Sequence, residues 1–294
     1  MKMRSWLFVP GDSEKKLEKA ASCGADAIIV DLEDAVAEYA KSDARRLAVR
    51  WLEAHRHNVL SGGGLQRWVR INPLDSKYWR EDLAAVMAGH PTGIVVPKAS
   101  GPEQLRLLAA ELYEHEQRHG AQPNSTRILP LVSETARAAL FIPEYARDEM
   151  PRLAGLTWGA EDLSAAIGAT RKRDESGEWT DLFRMVRSQV LLTAHARGVA
   201  AIDTLYSGFK DSAGLRKAAL ASHADGFVGM LAIHPDQVPI INAAYSPSEQ
   251  EIAKARAIVE AFSANPGRGA LSVDGEMVDQ PHLEQARRLL EKAL

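Results

Sequence analysis

The 294 residues include a single cysteine, Cys23, so no disulfide can form within one copy. A disulfide-stapled scaffold is excluded, and a reducing, cytoplasmic setting is the expectation. No apolar run approaches the ~20 residues of a membrane-spanning helix, so no membrane partner is expected. The apolar run after Lys2 and Arg4 covers only residues 6–9 before Pro10, Gly11 and Asp12 stop it. That is shorter than the ~7–15 residues a signal peptide needs, and it reads as a first buried strand. An excess of basic charge is also missing. Lys and Arg number 36 against 39 Asp and Glu, for a net charge of −3. Nucleic-acid binders carry a basic domain, so no nucleic-acid partner is expected. The chain has no low-complexity segment, no helical-repeat period and no dinucleotide fingerprint. Pro10-Gly11-Asp12-Ser13 does not match G-x-G-x-x-G, and Gly62-Gly63-Gly64 precedes a strand and reads as a flexible turn.

What is present is an alternation. Eight short apolar runs, at 5–11, 26–31, 67–73, 93–98, 127–133, 153–159, 198–204 and 226–233, are separated by longer amphipathic stretches. Near-continuous apolar runs suit parallel strands buried on both faces. Leu105, Leu108 and Leu112, or Val186, Val190, Thr193 and Ala194, carry helical spacing. Strand–helix alternation argues for a parallel α/β fold, and the count of eight favours a closed (β/α)₈ TIM barrel over an open sheet. A length of 294 residues suits one barrel of ~250 residues plus an extension. The expected division is a catalytic barrel over 1–245 and a C-terminal helical extension over 246–294, packing on a neighbouring subunit. The extension opens at Ser246-Pro247-Ser248-Glu249 with a helix to about Phe262. A loop, Asn265-Pro266-Gly267-Arg268-Gly269, then residues 271–279 and a last helix over 282–294 complete it.

Active sites of such barrels lie at the C-terminal strand ends, so the charged residues that end the apolar runs are the candidates. The second run ends Asp31-Leu32-Glu33-Asp34. It is either a helix cap with a solvated loop or an acidic wall around a cation or basic partner. Arg70, between Val69 and Ile71, must find an anion, because burying a guanidinium unpaired is costly. Its partner is either the neighbouring acidic cluster or a substrate oxygen gripped bidentately. Lys98 ends the fourth run; pairing or substrate contact is favoured over a Schiff base. Glu134 and Asp162 follow the fifth and sixth runs, 28 residues apart, about one βα unit. Neighbouring strands lie ~4.8 Å apart, so the two carboxylates can converge on one divalent ion unless each only caps the helix after it. Mg²⁺ takes one or two carboxylates in this way, with Mn²⁺ as the alternative.

The pieces Arg4-Ser5-Trp6-Leu7-Phe8-Val9-Pro10-Gly11, Asp31-Leu32-Glu33-Asp34-Ala35-Val36, Arg70-Ile71-Asn72-Pro73, Pro97-Lys98, Glu134-Thr135, Gly159-Ala160-Glu161-Asp162-Leu163 and Ile233-His234-Pro235 run in order over nearly the whole chain. Together they resemble the citrate lyase β-subunit-like branch of the HpcH/HpaI aldolase superfamily, which includes malyl-CoA and citramalyl-CoA lyases. The resemblance implies a homotrimer or hexamer and Mg²⁺ on Glu134 and Asp162. It also implies Arg70 on substrate oxygens; Lys98 and Glu134, at neighbouring strand ends, are the further candidates for substrate contact. The implied substrates are a CoA thioester of a 3-hydroxy acid and, for the reverse reaction, a small keto acid; some relatives add thioester hydrolysis. Gly275-Glu276-Met277-Val278-Asp279-Gln280-Pro281 is similar to the tail of the stand-alone CoA lyases. There the aspartate matching Asp279 reaches over a neighbouring subunit's barrel and transfers a proton; the alternative for Asp279 is a helix cap ahead of Pro281 and His282. A member of the Glu33/Asp34 group is the candidate base. Met230 stands where many relatives carry lysine, and His234 reads as structural. Lys15, Lys16, Arg171, Lys172 and Arg173 are candidates for the CoA phosphates, and 171–179 for a polar loop over the site. Competing expectations are a subunit acting on a citryl thioester of a carrier protein, a class II pyruvate aldolase without thioester, a Lys98 Schiff-base aldolase and a binding protein.

Overall fold

Aliphatic and β-branched residues on both faces of a strand demand cover on both sides, and a ring of parallel strands inside a ring of helices provides it. The computed structural model describes residues 2–56, 64–147 and 149–293, so Gly62 and Gly63 of the triple-glycine turn lie outside the described residues. The strands are β1 Ser5–Pro10, β2 Ala27–Asp31, β3 Gln66–Arg70, β4 Gly93–Val96, β5 Arg127–Pro130, β6 Gly155–Leu156, β7 Ala200–Asp203 and β8 Gly229–Ala232. They pair in parallel in the order β5-β4-β3-β2-β1-β8-β7-β6. Parallel bridges Ile128↔Leu153 and Leu131↔Thr157 join β5 to β6, which closes the expected barrel. The strands are shorter than the apolar runs that announce them. The run at 67–73 leaves its ladder by Asn72, whose backbone N–H goes to the Asp82 carboxylate at 2.8 Å.

The helices of this unit are α1 Glu14–Ala20, α2 Lys41–Ala54, α3 Trp79–Val86, α4 Pro102–His119, α5 Ala136–Leu140, α6 Ala160–Ala166, α7 Asp181–Arg197, α8 Ser212–Asp225 and α9 Gln237–Ala244. Helix α4 starts with Pro102 in its first turn and stops at Gly120, whose φ of 65° is left-handed. Proline needs no N–H donor at a helix start, and glycine has no Cβ to oppose a left-handed stop. Leu105, Leu108 and Leu112 form its buried face, as their spacing predicts. Inside the barrel, Trp6, Ile29, Trp68, Val95, Leu129, Ile202 and Leu231 form one core cluster. Trp6 and Trp68 meet at 5.0 Å with planes tilted by 56°. A Cβ on Gly93 would lie 2.2 Å from the Trp68 ring, so this strand position accepts only glycine. Among the described residues, no helix is long and apolar enough to cross a membrane.

The chain divides into two compact units, Met1–Asn242 and Ala243–Leu294. The second contains more than helices. Helix α10, Glu249–Ala264, begins with a capping box between Ser248 and Glu251. Strands β9 Ala270–Val273 and β10 Glu276–Asp279 then form an antiparallel hairpin. Its turn residues Asp274 and Gly275 both have positive φ, the backbone of the tight turns that match strand twist. Helix α11 runs Gln280–Ala293, two residues earlier than the sequence suggests, because β10 leads straight into it. Ala255, Ile258, Phe262, Val278, Leu283 and Ala286 give this unit a core of its own.

Candidate active site

Parallel strands end on one face, so the residues just beyond β2, β3, β4 and β5 come together. Asp31 and Arg70 end adjacent strands in direct register. The guanidinium donates from Nε and Nη2 to the two Asp31 oxygens, each at 2.7 Å. Its third nitrogen lies 2.9 Å from Glu33 Oε2. Burial works against this cation, but Asp31 and Glu33 outweigh it and hold Arg70 charged. Its plane also covers the Phe8 ring at 4.7 Å. The structural ion pair weighed for Arg70 is therefore present, and Asp31 is part of it rather than a free acidic wall. Asp31 also accepts from the backbone of Glu33 and Ala35, which shapes the loop after β2.

Lys98 follows β4 with φ 50°, a left-handed conformation that costs a non-glycine residue roughly 1 kcal/mol or more. The turn aims its backbone N–H at Glu134 and its ammonium at Glu33, with Asp34 at 3.4 Å. Burial opposes the Lys98 charge, yet Glu33, Asp34 and Glu134 outweigh it and lift the group above the ordinary lysine range. A Schiff-base lysine must reach its neutral form, so this environment argues against covalent catalysis at Lys98. Burial pushes the Glu33 carboxyl up, while Arg70 and Lys98 pull it back.

Glu134 is buried four residues beyond the end of β5. Burial, and then the charge of Asp162 in the first turn of α6, pushes its pKa up to about 8 against the pull of the Lys98 N–H. Neither carboxylate caps a helix. Helix α5 is capped by Thr135, which accepts from Ala138 N–H at 3.1 Å, and Gly159 ahead of α6 has no side chain to cap with. The charge of Asp162 raises the Glu134 pKa, and a cation held between the two carboxylates would relieve that repulsion. Among the described residues no group of three or more His, Cys, Asp or Glu is arranged to hold a metal. That donor set suits Mg²⁺, which completes its shell with water and substrate oxygens, better than an ion that needs three or four side chains.

Sequence reading missed several residues. Gly159 leaves Glu134 its room, since a Cβ there would lie 2.9 Å from Glu134 Cγ. The signal available was a glycine inside the Gly159-Ala160-Glu161-Asp162 motif. Lys41 is buried and donates to the carbonyls of Leu32 and Glu33 and to Asn72 Oδ1, at 2.9, 3.1 and 2.7 Å. It ties down the loop that carries Glu33, and nothing in a solvent-facing helix pattern announces it. Asp203, buried at the end of β7, accepts from Trp158, Arg187 and Ser222.

Met230 is buried on β8 opposite Asp203. His234 accepts from Asp236 N–H and stacks on Phe209 at 5.5 Å, a structural role. Residues 171–179 fold back through an Arg173↔Trp179 bridge. Trp179 packs on Trp158 at 5.2 Å, and the Arg173 guanidinium lies 3.6 Å from the Trp179 ring centroid. Lys172 pairs with Glu161. Of the five basic candidates for phosphate contact, these two already have partners, while Lys15, Lys16 and Arg171 are exposed. In the second unit, Asp279 ends β10 and meets His282 Nδ1 at 2.5 Å. This hydrogen bond holds its carboxyl below the ordinary range.

Residues 4–235 match the family model described as HpcH/HpaI aldolase/citrate lyase. A (3S)-malyl-CoA thioesterase from Cereibacter sphaeroides is 37% identical over 294 residues, covering 99% of this chain and 94% of the relative. The mitochondrial citramalyl-CoA lyase of Homo sapiens is 33% identical over 296 residues, covering 97% and 83%. Among solved structures, the protein CitE from Mycobacterium tuberculosis in complex with magnesium, acetoacetate and coenzyme A aligns with a TM-score of 0.78 and 34% identity, covering 99% of this chain and 98% of that one.

Proposed function

The chain belongs to the HpcH/HpaI aldolase/citrate lyase family, and from that premise we propose that it is a Mg²⁺-dependent carbon–carbon lyase. Its substrate would be a 3-hydroxyacyl-CoA such as malyl-CoA or citramalyl-CoA, split into an acyl-CoA and glyoxylate or a 2-keto acid. The observation that carries this reading is Glu134, buried beside Asp162 with its pKa near 8. The complex of the related CitE with magnesium, acetoacetate and coenzyme A supports the choice of ion and of substrate class.

Glu134 and Asp162 would hold the ion, and the chemistry it would supply is polarisation of the substrate oxygens and a lower pKa for the hydroxyl. Glu33, already biased toward protonation by burial, takes the hydroxyl proton, directly or through water beside Asp34. Lys98 orients Glu33 and, through its N–H, Glu134. Arg70, kept charged by Asp31 and Glu33, faces the charge that develops on the thioester oxygen. Asp279 returns a proton to the enolate carbon. Its carboxyl is ionised in the His282 pair, so the proton has to arrive through that pair. The assembly is a homotrimer or hexamer in the cytoplasm, with residues 246–294 serving the barrel of a neighbouring subunit.

The deciding experiment incubates the purified chain with malyl-CoA and citramalyl-CoA, with and without Mg²⁺. Acyl-CoA and keto acid should appear only with the ion. Free CoA and a free hydroxy acid, with no keto acid, would mean that the thioester is hydrolysed instead of cleaved at carbon, as the name of the Cereibacter relative suggests. Failure to cleave either thioester would remove the lyase reading.

A further inference from the structure

The second unit contains a polar cleft of about 360 Å³ between the end of α10, the loop to β9 and the start of α11. Phe262 and Leu283, both buried in the core of the unit, form its floor. Arg268 on the loop and Arg287 on α11 stand on its walls, and none of the lining residues is acidic. Among the described residues neither guanidinium has a carboxylate within ion-pair distance. Lys254 of the same unit is already paired with Glu276 at 2.6 Å. The acidic residues nearest in sequence are Asp274, six residues after Arg268, and Glu284, three before Arg287; among the described residues neither guanidinium pairs with them.

The loop between the arginines is Asn265-Pro266-Gly267-Arg268-Gly269. Gly267 has φ 84°, and a Cβ at either glycine would meet nothing within 4 Å. Packing therefore does not require these glycines. Their effect is to leave the backbone bare, and their N–H groups have no acceptor among the described residues. Two unpaired guanidiniums, bare backbone donors and an apolar floor are what a phosphate group with an attached organic moiety requires.

We propose that this cleft is a binding site for a phosphate-bearing anion, gripped by Arg268 and Arg287. The anion is either the nucleotide end of the CoA thioester, which rests on the function proposed above, or free phosphate, which does not.

The test is calorimetric titration of the full chain with adenosine 3′,5′-bisphosphate and, separately, with inorganic phosphate. At least one should bind, and R268Q/R287Q should weaken it by about tenfold or more, the scale of losing charge-assisted contacts. The control K254Q/R288Q removes the same two charges outside the cleft and should leave the affinity unchanged. Binding of phosphate alone with this contrast identifies a free-phosphate site; binding of only the nucleotide identifies the CoA end. No binding of either anion, or equal weakening by both double variants, overturns the proposal. All four substituted residues are exposed, and melting temperatures check that each variant folds. The readout needs no turnover, so a chain inactive as a lyase still tests the cleft.

Discussion

A single buried carboxyl has the most to answer for. The Glu134 pKa, about 8, stands above its ordinary value of 4.5. By linkage, its contribution to stability is complete below about pH 4.5 and is lost as pH rises through 8, at roughly 1.4 kcal/mol per pK unit. Asp162→Asn removes the neighbouring charge and lets the Glu134 pKa fall. Without metal, that variant should gain stability relative to the parent at pH 8.5 and gain little at pH 5, as urea unfolding at both values would record. The same variant should lose Mg²⁺-dependent turnover. Stability that changes equally at both pH values would disconnect the two carboxylates. Gly159→Ala makes a complementary test. The added methyl meets Glu134, so turnover should fall by about tenfold or more, as misplaced catalytic groups cost. A fully active alanine variant would mean Glu134 has slack that the packing does not indicate.

Among the elements, the fold-back at 171–179 is the one whose function was least legible. A polar, charged stretch reads as a loop, and the sequence expectation treated it so. In three dimensions Trp179 lies against Trp158, one residue before Gly159 and four before Asp162. Trp179→Ala should therefore act on the site through Trp158. The expected result is a higher Mg²⁺ requirement with only modest loss of melting temperature. Equal Mg²⁺ dependence in the variant would make the stack a matter of local stability only. Helix α4 was legible by contrast, because the spacing of Leu105, Leu108 and Leu112 acts locally, and local chemistry survives in sequence. Lys41 was not, because its partners Leu32, Glu33 and Asn72 come from other elements.

At the level of the whole molecule, the question is which chain would supply Asp279 to the proposed reaction. The two units each have a core, so the second can serve a barrel other than its own. Arg70→Ala should lower turnover at least ~10²-fold, the scale of losing an oxyanion donor. Asp279→Ala should be similarly impaired. Mixing and reassembling the two inactive variants should restore part of the activity if one subunit's tail serves the next. Activity that stays at the level of the separate variants would assign each tail to its own barrel.

The order of apolar runs determined that parallel strands would alternate with helices, because burial on both faces demands helical cover, and their count of eight favoured a ring over an open sheet. The carboxylates at the run ends were legible for the same reason, since chain direction alone puts every strand end on one rim. Which charges neutralise one another was decided only by the tertiary structure. Arg70 meeting Asp31 and Glu33, Lys98 turned by a positive φ toward Glu33 and Glu134, and Glu134 coupled to Asp162 all depend on atoms from different strands. Electrostatic energy follows separation and burial, and neither is written along the chain.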